Sequence, residues 1–324
     1  MSISPPDDSP DVFEVRVPVA TMWASPEAPR DVDEAAVHDE PDVAGWAASV
    51  LTQELIGRTL TQLVLGEPVH VLEERGTWVL AAARIQECTM HKEGYPGWVR
   101  RAHLGAPVTR SEGAAAFVVT RTASCQTDED EAVDLSFGTA LWVEAVSDTS
   151  ATVLLPGDRR GTVALADVRL AHKKQQPLYG PDDVLTLARQ FLGLRYVWGG
   201  TSAWGLDCSG FVHLTHRALG VALPRDAADQ SASRHVAPVP LDQVEPGDLY
   251  FFANDDGRVT HVGFATARPD PDGTRVMLHA PEGGGFIEEG PMSEDRLARL
   301  VSAGRVRKPD AGQFPRSAST LTSR

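Results

Sequence analysis

The 324-residue sequence is short of cysteine, of positive charge and of long apolar runs. Its three cysteines, Cys88, Cys125 and Cys208, are odd in number and widely spaced, which excludes a disulfide framework and a zinc knuckle. Lys and Arg total 30 against 45 Asp and Glu, and the resulting net charge of −15 repels phosphate backbones and anionic surfaces. Nucleic acid and membrane are therefore not expected as partners. No run reaches the ~18 apolar residues of a membrane helix, and the start lacks the basic and apolar regions of a secretory signal. A cytoplasmic location is the expectation. What remains is ordinary: 42% hydrophobic and 23% charged residues describe a globular chain. At roughly 100 to 200 residues per domain, that chain holds two or three domains.

Residues 1–11, rich in proline and aspartate, and the Ser/Thr-rich tail 308–324 are expected to be disordered. An acidic stretch between Pro26 and Gly45 reads as a solvated loop, followed by a helix with the apolar stripe Val43, Trp46, Ala47, Val50, Leu51 and Leu55. A loose repeat follows. Leu65-Gly66-Glu67-Pro68-Val69-His70-Val71 matches Phe137-Gly138-Thr139-Ala140-Leu141-Trp142-Val143, and Gly97-Trp98-Val99 matches Gly161-Thr162-Val163, each leading to a short return strand. Alternating apolar residues without a long helix suit two small half-open β-barrels, residues 12–108 and 109–172, and these units resemble bacterial SH3-like domains. A polar linker, 173–181, precedes a third unit over 182–307. There helical spacing (Val184, Leu187, Ala188, Phe191, then Phe211, Leu214, Thr215, Ala218, Leu219) gives way after Pro246-Gly247-Asp248 to the period-two pattern of antiparallel strands. Helices first and strands afterwards indicate an α+β domain.

Cys208 follows a tight loop and opens a predicted helix, where free backbone N–H groups and the positive end of the macrodipole favour a thiolate. Cys88 and Cys125 lie in the β repeats without such placement. A thiol nucleophile needs a base, and the turn Pro269-Asp270-Pro271-Asp272-Gly273 sits between two histidines. If the hairpin centres near Asp270, partners sum to about 540 and His261 pairs with His279 on one face, Cβ atoms ~5 Å apart. One imidazole would then address Cys208 while the other orients it. His213 and His216 lie three apart on the Cys208 helix, but no further ligand joins them at a recognisable spacing, so packing is expected and no metal site.

The strings Tyr196-Val197-Trp198-Gly199-Gly200, Leu206-Asp207-Cys208-Ser209-Gly210-Phe211, Pro224-Arg225-Asp226, Pro246-Gly247-Asp248-Leu249, Thr260-His261-Val262-Gly263 and His279-Ala280 occur in this order. Together they resemble the NlpC family of papain-like cysteine peptidases, which cleave peptidoglycan stem peptides. The resemblance implies Cys208 as nucleophile, His261 as base, His279 as third member, and the Tyr196 hydroxyl with the Cys208 N–H as oxyanion donors. Two SH3-like units ahead of the peptidase, the first bearing Gly94-Tyr95-Pro96-Gly97-Trp98, resemble the YkfC-type γ-D-glutamyl-L-diamino acid endopeptidases of that family. That group acts on L-Ala-γ-D-Glu-diamino acid tripeptides or tetrapeptides with a free L-Ala amine. It implies Glu67, Tyr95 and Asp207 around that amine, with Trp198 and Ser209 in the binding set and no metal or organic cofactor. Arg225 has two readings, a partner for the free D-Glu carboxylate or a structural ion pair with Asp226 or Asp229.

The expected fold is thus two SH3-like β-barrels followed by an α+β papain-like peptidase. The expected function is hydrolysis of the γ-D-Glu to diamino acid bond in murein peptides during cytoplasmic recycling. A secreted hydrolase of intact wall and a non-catalytic wall-peptide binding protein are the rivals.

Overall fold

The computed structural model describes residues 11–108, 114–171 and 180–307. Most of the expected disordered ends and most of the linker lie outside these residues. Pro181, counted with the linker above, is the first residue of the helix Pro181–Arg189.

Two seven-stranded antiparallel sheets come first. With each sheet's strands numbered in chain order, both have the spatial order 3-2-6-5-4-1-7, so the repeat seen in sequence is a repeat of topology. Gly66 and Gly138 both take φ +78 ahead of the fourth strands, Pro68–Arg75 and Ala140–Val146, a left-handed value that glycine adopts without cost. Gly97 and Gly161 both lie in sixth strands, Tyr95–Arg100 and Arg159–Ala164, each followed by a single 3-10 turn and the seventh strand. The sheets differ between strands two and three. There the first carries the acidic insertion, and it is not simply a solvated loop. Asp33 is fully buried, pairs with Arg30 and accepts a hydrogen bond from the Trp46 indole at 2.9 Å. The helix Val43–Ser49 ends where Val50 becomes extended, so Leu51 is turned out to solvent, 55% exposed, instead of continuing the stripe. Trp23, Val43, Trp46, Ala47, Val50 and Leu55 form a core of their own that also takes in Val197 of the third unit.

In the third unit the helix Cys208–Ala218 is buried on every side. It packs between Pro181–Arg189 and a six-stranded antiparallel sheet. The sheet runs Val236–Val239, Leu300–Val306, Leu249–Ala253, Val259–Ala265, Val276–His279, Glu288–Pro291. The three strands of the sequence reading, Leu249–Ala253, Val259–Ala265 and Val276–His279, are there; the other three were not foreseen, because Pro238, Gly290 and Gly304 interrupt their alternation. Phe137, in the turn that follows the third strand of the second sheet, stacks edge-on against Phe191 (5.0 Å), which meets Phe211 (6.0 Å), which meets Phe264 (5.2 Å). This aromatic column ties the second β unit to the core beneath Cys208. At ~1.5–3 kcal/mol for each buried ring, it fixes the helix against sliding.

Candidate active site

Asp207 caps the Cys208 helix, its Oδ1 accepting the Gly210 N–H at 2.6 Å. The helix start lies so close to the preceding loop that a Cβ on Gly210 would stand 2.2 Å from the Gly200 carbonyl oxygen. A glycine is therefore required here by contact. The thiol of Cys208 is buried and points toward the carbonyl of Thr260, 3.9 Å away, at the start of the strand that bears His261.

His261 and His279 share one sheet face. Phe264 faces Leu278 and Ala265 faces Met277, so the partners sum to 542. The register is offset by two from the one expected, and a shift of two keeps every side chain on its face. His261 and His279 are therefore diagonal neighbours, with His261 Nε2 and His279 Nδ1 2.9 Å apart and the rings edge-to-face at 5.0 Å. Gly263 lies opposite His279, where a Cβ would come 2.8 Å from the His279 Cβ, and its absence leaves room for the His279 side chain. A third group, absent from the sequence reading, completes the cluster: Glu282 places Oε1 3.1 Å from His261 Nδ1 and Oε2 3.5 Å from Arg296.

A second cluster lies behind Asp207. Arg225, 1% exposed, donates Nη2 to Asp207 Oδ2 (2.5 Å), Nη1 to Asp207 Oδ1 and Ser209 Oγ (3.0 Å each) and Nε to Thr61 Oγ1 (2.8 Å). Thr61 belongs to the first sheet and donates to Gln86 (2.7 Å), whose amide donates to Glu67 (3.2 Å). The Tyr95 hydroxyl donates to Asp226 at 3.2 Å.

The model of the NlpC/P60 family matches residues 193–304, and that of the bacterial dipeptidyl-peptidase SH3 domain matches residues 57–104. The γ-D-glutamyl-L-lysine dipeptidyl-peptidase of Bacillus subtilis is 30% identical over 281 residues, 83% of this chain and 90% of that protein. The enzyme of the same name from Bacillus cereus is 29% identical over 86% of both chains. The crystal structure of an NlpC/P60 family protein from Bacillus cereus superposes with a TM-score of 0.84 at 27% identity, over 92% of this chain and all (100%) of that one. The chain belongs to the NlpC/P60 family.

Within this NlpC/P60 chain, the Cys208 thiol points to Thr260, the residue before His261, and His261 in turn meets His279. Tyr196 is 1% exposed, and its phenol is driven up by burial and by the nearby Cys208 and Asp207. Its carbonyl accepts from Thr52 of the insertion (2.7 Å), and the carbonyl of Trp198 accepts from Thr59 (3.0 Å). The Trp198 side chain is 36% exposed at the rim. Two expected substrate contacts have other tasks. Glu67, 1% exposed, forms a buried ion pair with Arg217 and is linked to Asp207 through Gln86, Thr61 and Arg225. Arg225 spends its guanidinium on Asp207, Ser209 and Thr61, so it is the structural ion pair, with Asp207 as partner in place of Asp226 or Asp229. Asp226 takes the place expected of Glu67 next to Tyr95. Burial and the charge of Asp207 raise its carboxyl even though Arg225 opposes the shift.

The thiol differs from the thiolate expected at a helix start. Burial, reinforced by Asp207 and Glu282, pushes Cys208 up to about 12. Burial also lowers His261, and it takes His279 down to about 3 with help from the neighbouring imidazole. Burial thus favours the uncharged form of the thiol and of both imidazoles. His213 and His216 each hold a backbone carbonyl through Nδ1, at 2.7 and 2.8 Å, inside the helix packing.

Proposed function

We propose that this protein is a cysteine peptidase that hydrolyses the amide between γ-D-Glu and an L-diamino acid in murein tripeptides or tetrapeptides bearing a free N-terminal L-Ala, in the cytoplasmic recycling of wall peptides. The observation that carries the reading is the pairing of two features one residue apart. The Cys208 thiol points to Thr260, the residue before the His261–His279 pair, and Asp207 lies in a buried charged cluster with Arg225 that meets Thr61 of the first β unit, beside the Tyr95–Asp226 contact. Asp207 and Asp226 together outnumber Arg225 by one negative charge, and an ammonium would restore neutrality in a place where an uncompensated charge is costly. In catalysis His261 takes the thiol proton as Cys208 attacks the γ-carbonyl. Tyr196 and the Cys208 N–H hold the oxyanion, His261 returns the proton to the departing α-amine, and water then releases the dipeptide from the thioester. The names of the two Bacillus relatives favour lysine as the diamino acid.

Mass spectrometry of products from L-Ala-γ-D-Glu-L-Lys, its diaminopimelate counterpart and the N-acetylated form of each tests this. Cleavage to L-Ala-D-Glu is expected for the free peptides, with the acetylated ones slower by ~10⁴-fold or more, since a site built for polar partners rejects an analogue that leaves them unpaired. Equal kcat/KM for free and acetylated peptides would refute an amine site at Asp207 and Asp226. Clearing of intact sacculi would favour the secreted wall hydrolase.

A further inference from the structure

Tyr196 sits in a stretch of chain that forms no helix and only isolated bridges, Arg195 to Phe286 and Tyr196 to Leu206, so its own backbone conformation does not fix it. Contacts from distant segments do. Its N–H donates to the Gly285 carbonyl at 2.8 Å, in the loop that follows His279. The next residue, Val197, donates to the carbonyl of Leu206 at 3.2 Å, two positions before Cys208. The Tyr196 carbonyl accepts from Thr52 Oγ1 at 2.7 Å, across 144 positions of sequence. Thr52 is 3% exposed and opens the 3-10 turn Thr52–Leu55 near the end of the insertion. The insertion is docked on both sides of this bond: Gln53 Nε2 donates to the Gly283 carbonyl at 2.8 Å, and the Ala48 carbonyl accepts from Arg195 Nη1 at 2.9 Å. A buried carbonyl requires a donor, so the Thr52 hydroxyl sets the plane of the Tyr196 peptide. The phenol hydroxyl lies at the far end of a long rigid side chain, where a small tilt of that plane is magnified.

We propose that Thr52 is a positioning residue for the reaction: by holding the Tyr196 carbonyl it aims the Tyr196 hydroxyl at the oxyanion, which makes the insertion a working part of the catalytic site. This rests on the proposed reaction, in which Tyr196 is an oxyanion donor. Such a donor acts only within about 2.7–3.1 Å of the place where the charge develops. A displacement of ~1 Å in a catalytic group costs up to ~10²-fold in rate. The substrate carbonyl carries far less charge than the oxyanion, so a misaimed hydroxyl lowers kcat and leaves KM nearly untouched.

The test is a double-mutant cycle on L-Ala-γ-D-Glu-L-Lys with Thr52→Val, Tyr196→Phe and the two combined. Valine keeps the branched shape and lacks the hydroxyl, while Thr52→Ser keeps the hydroxyl and is the rescue. Tyr196→Phe should lower kcat by ~10²-fold, the scale of one lost oxyanion donor. Thr52→Val should lower it by ~10–100-fold with KM within about threefold of wild type. The combined variant should lie within about threefold of Tyr196→Phe alone, because Thr52 acts through that hydroxyl. Thr52→Ser should stay within about threefold of wild type. A Thr52→Val loss of equal size in both backgrounds, a loss confined to KM, unchanged kcat in Thr52→Val, or full kcat in Tyr196→Phe overturns the proposal. Crystal structures of the Thr52 variants are the second readout and need no peptide. The Tyr196 ring should be displaced in Thr52→Val and in place in Thr52→Ser, and an unmoved ring in Thr52→Val overturns the proposal. Should Thr52→Val not fold, Thr52→Ala takes its place in both measurements. If wild type does not cleave the peptide, the proposed reaction fails, while the ring position still decides whether Thr52 aims Tyr196.

Discussion

Cys208 and His261 are each buried, and burial works against charge on both. A thiol pushed up to about 12 gains thiolate as pH rises, so alkylation of substrate-free Cys208 should climb about tenfold per pH unit between roughly pH 7 and 9. A flat profile over that range would show a standing thiolate–imidazolium pair and contradict the neutral resting state. The histidines differ in what they can lose. His261→Ala removes the proton acceptor and should lower kcat/KM by about 10⁴-fold, with Cys208→Ser added to it costing little more, because the two act as a unit. His279→Gln keeps a hydrogen-bonding group for His261 Nε2 and should be milder. If His279→Gln proves the more severe, the two roles are reversed.

The two elements that carry these residues depend on missing side chains. At the helix start, Gly210 lets Asp207 cap the Cys208 helix while the Gly199-Gly200 loop lies against it. In the hairpin, Gly263 leaves room for His279. Gly263→Ala would put a methyl 2.4 Å from Met277 Cε and 2.8 Å from His279 Cβ. Overpacking of this kind costs about 1–3 kcal/mol, which a domain of this size survives. Activity should nonetheless fall sharply, because the methyl displaces His279 from the 2.9 Å contact with His261. Crystallography of the variant with the rings still at that separation and full activity would rule the explanation out. The element that proved hardest to read was the hairpin register. Its turn residues located the bend and its alternation set the face, but neither distinguishes partners summing to about 540 from those summing to 542.

Across the whole molecule, the first β unit is fastened to the peptidase through buried polar contacts. Thr52, Thr59 and Thr61 reach the loop from Tyr196 to Thr201, Glu87 accepts the Arg225 N–H, and Glu67 pairs with Arg217. The acidic insertion has its place here too, since its core encloses Val197 and its Thr52 holds Tyr196. Glu67→Ala would strand Arg217, itself 7% exposed, without its partner, and breaking a buried pair costs ~3–5 kcal/mol. Urea unfolding should show that loss, while the folded fraction at low temperature keeps most of its kcat/KM. A variant of unchanged stability with activity down 10-fold or more would return Glu67 to the amine, where the sequence resemblance had placed it.

Short-range requirements were legible in the sequence by itself: the helix opened by Cys208, the common face of His261 and His279, and the repeat that became two sheets of one strand order. Each follows from the helical spacing of apolar residues or from the period-two pleat, and sequence carries such rules directly. The charge pairings were decided by tertiary structure. Glu67 found Arg217 150 positions away, Arg225 found Asp207 and Thr61, and Glu282 arrived at His261 through a glycine loop. A carboxylate or guanidinium looks the same in a sequence whether it will bind substrate or a buried partner. Only the long-range packing that brings the first sheet onto the peptidase determines which opposite charge is within reach when water is excluded.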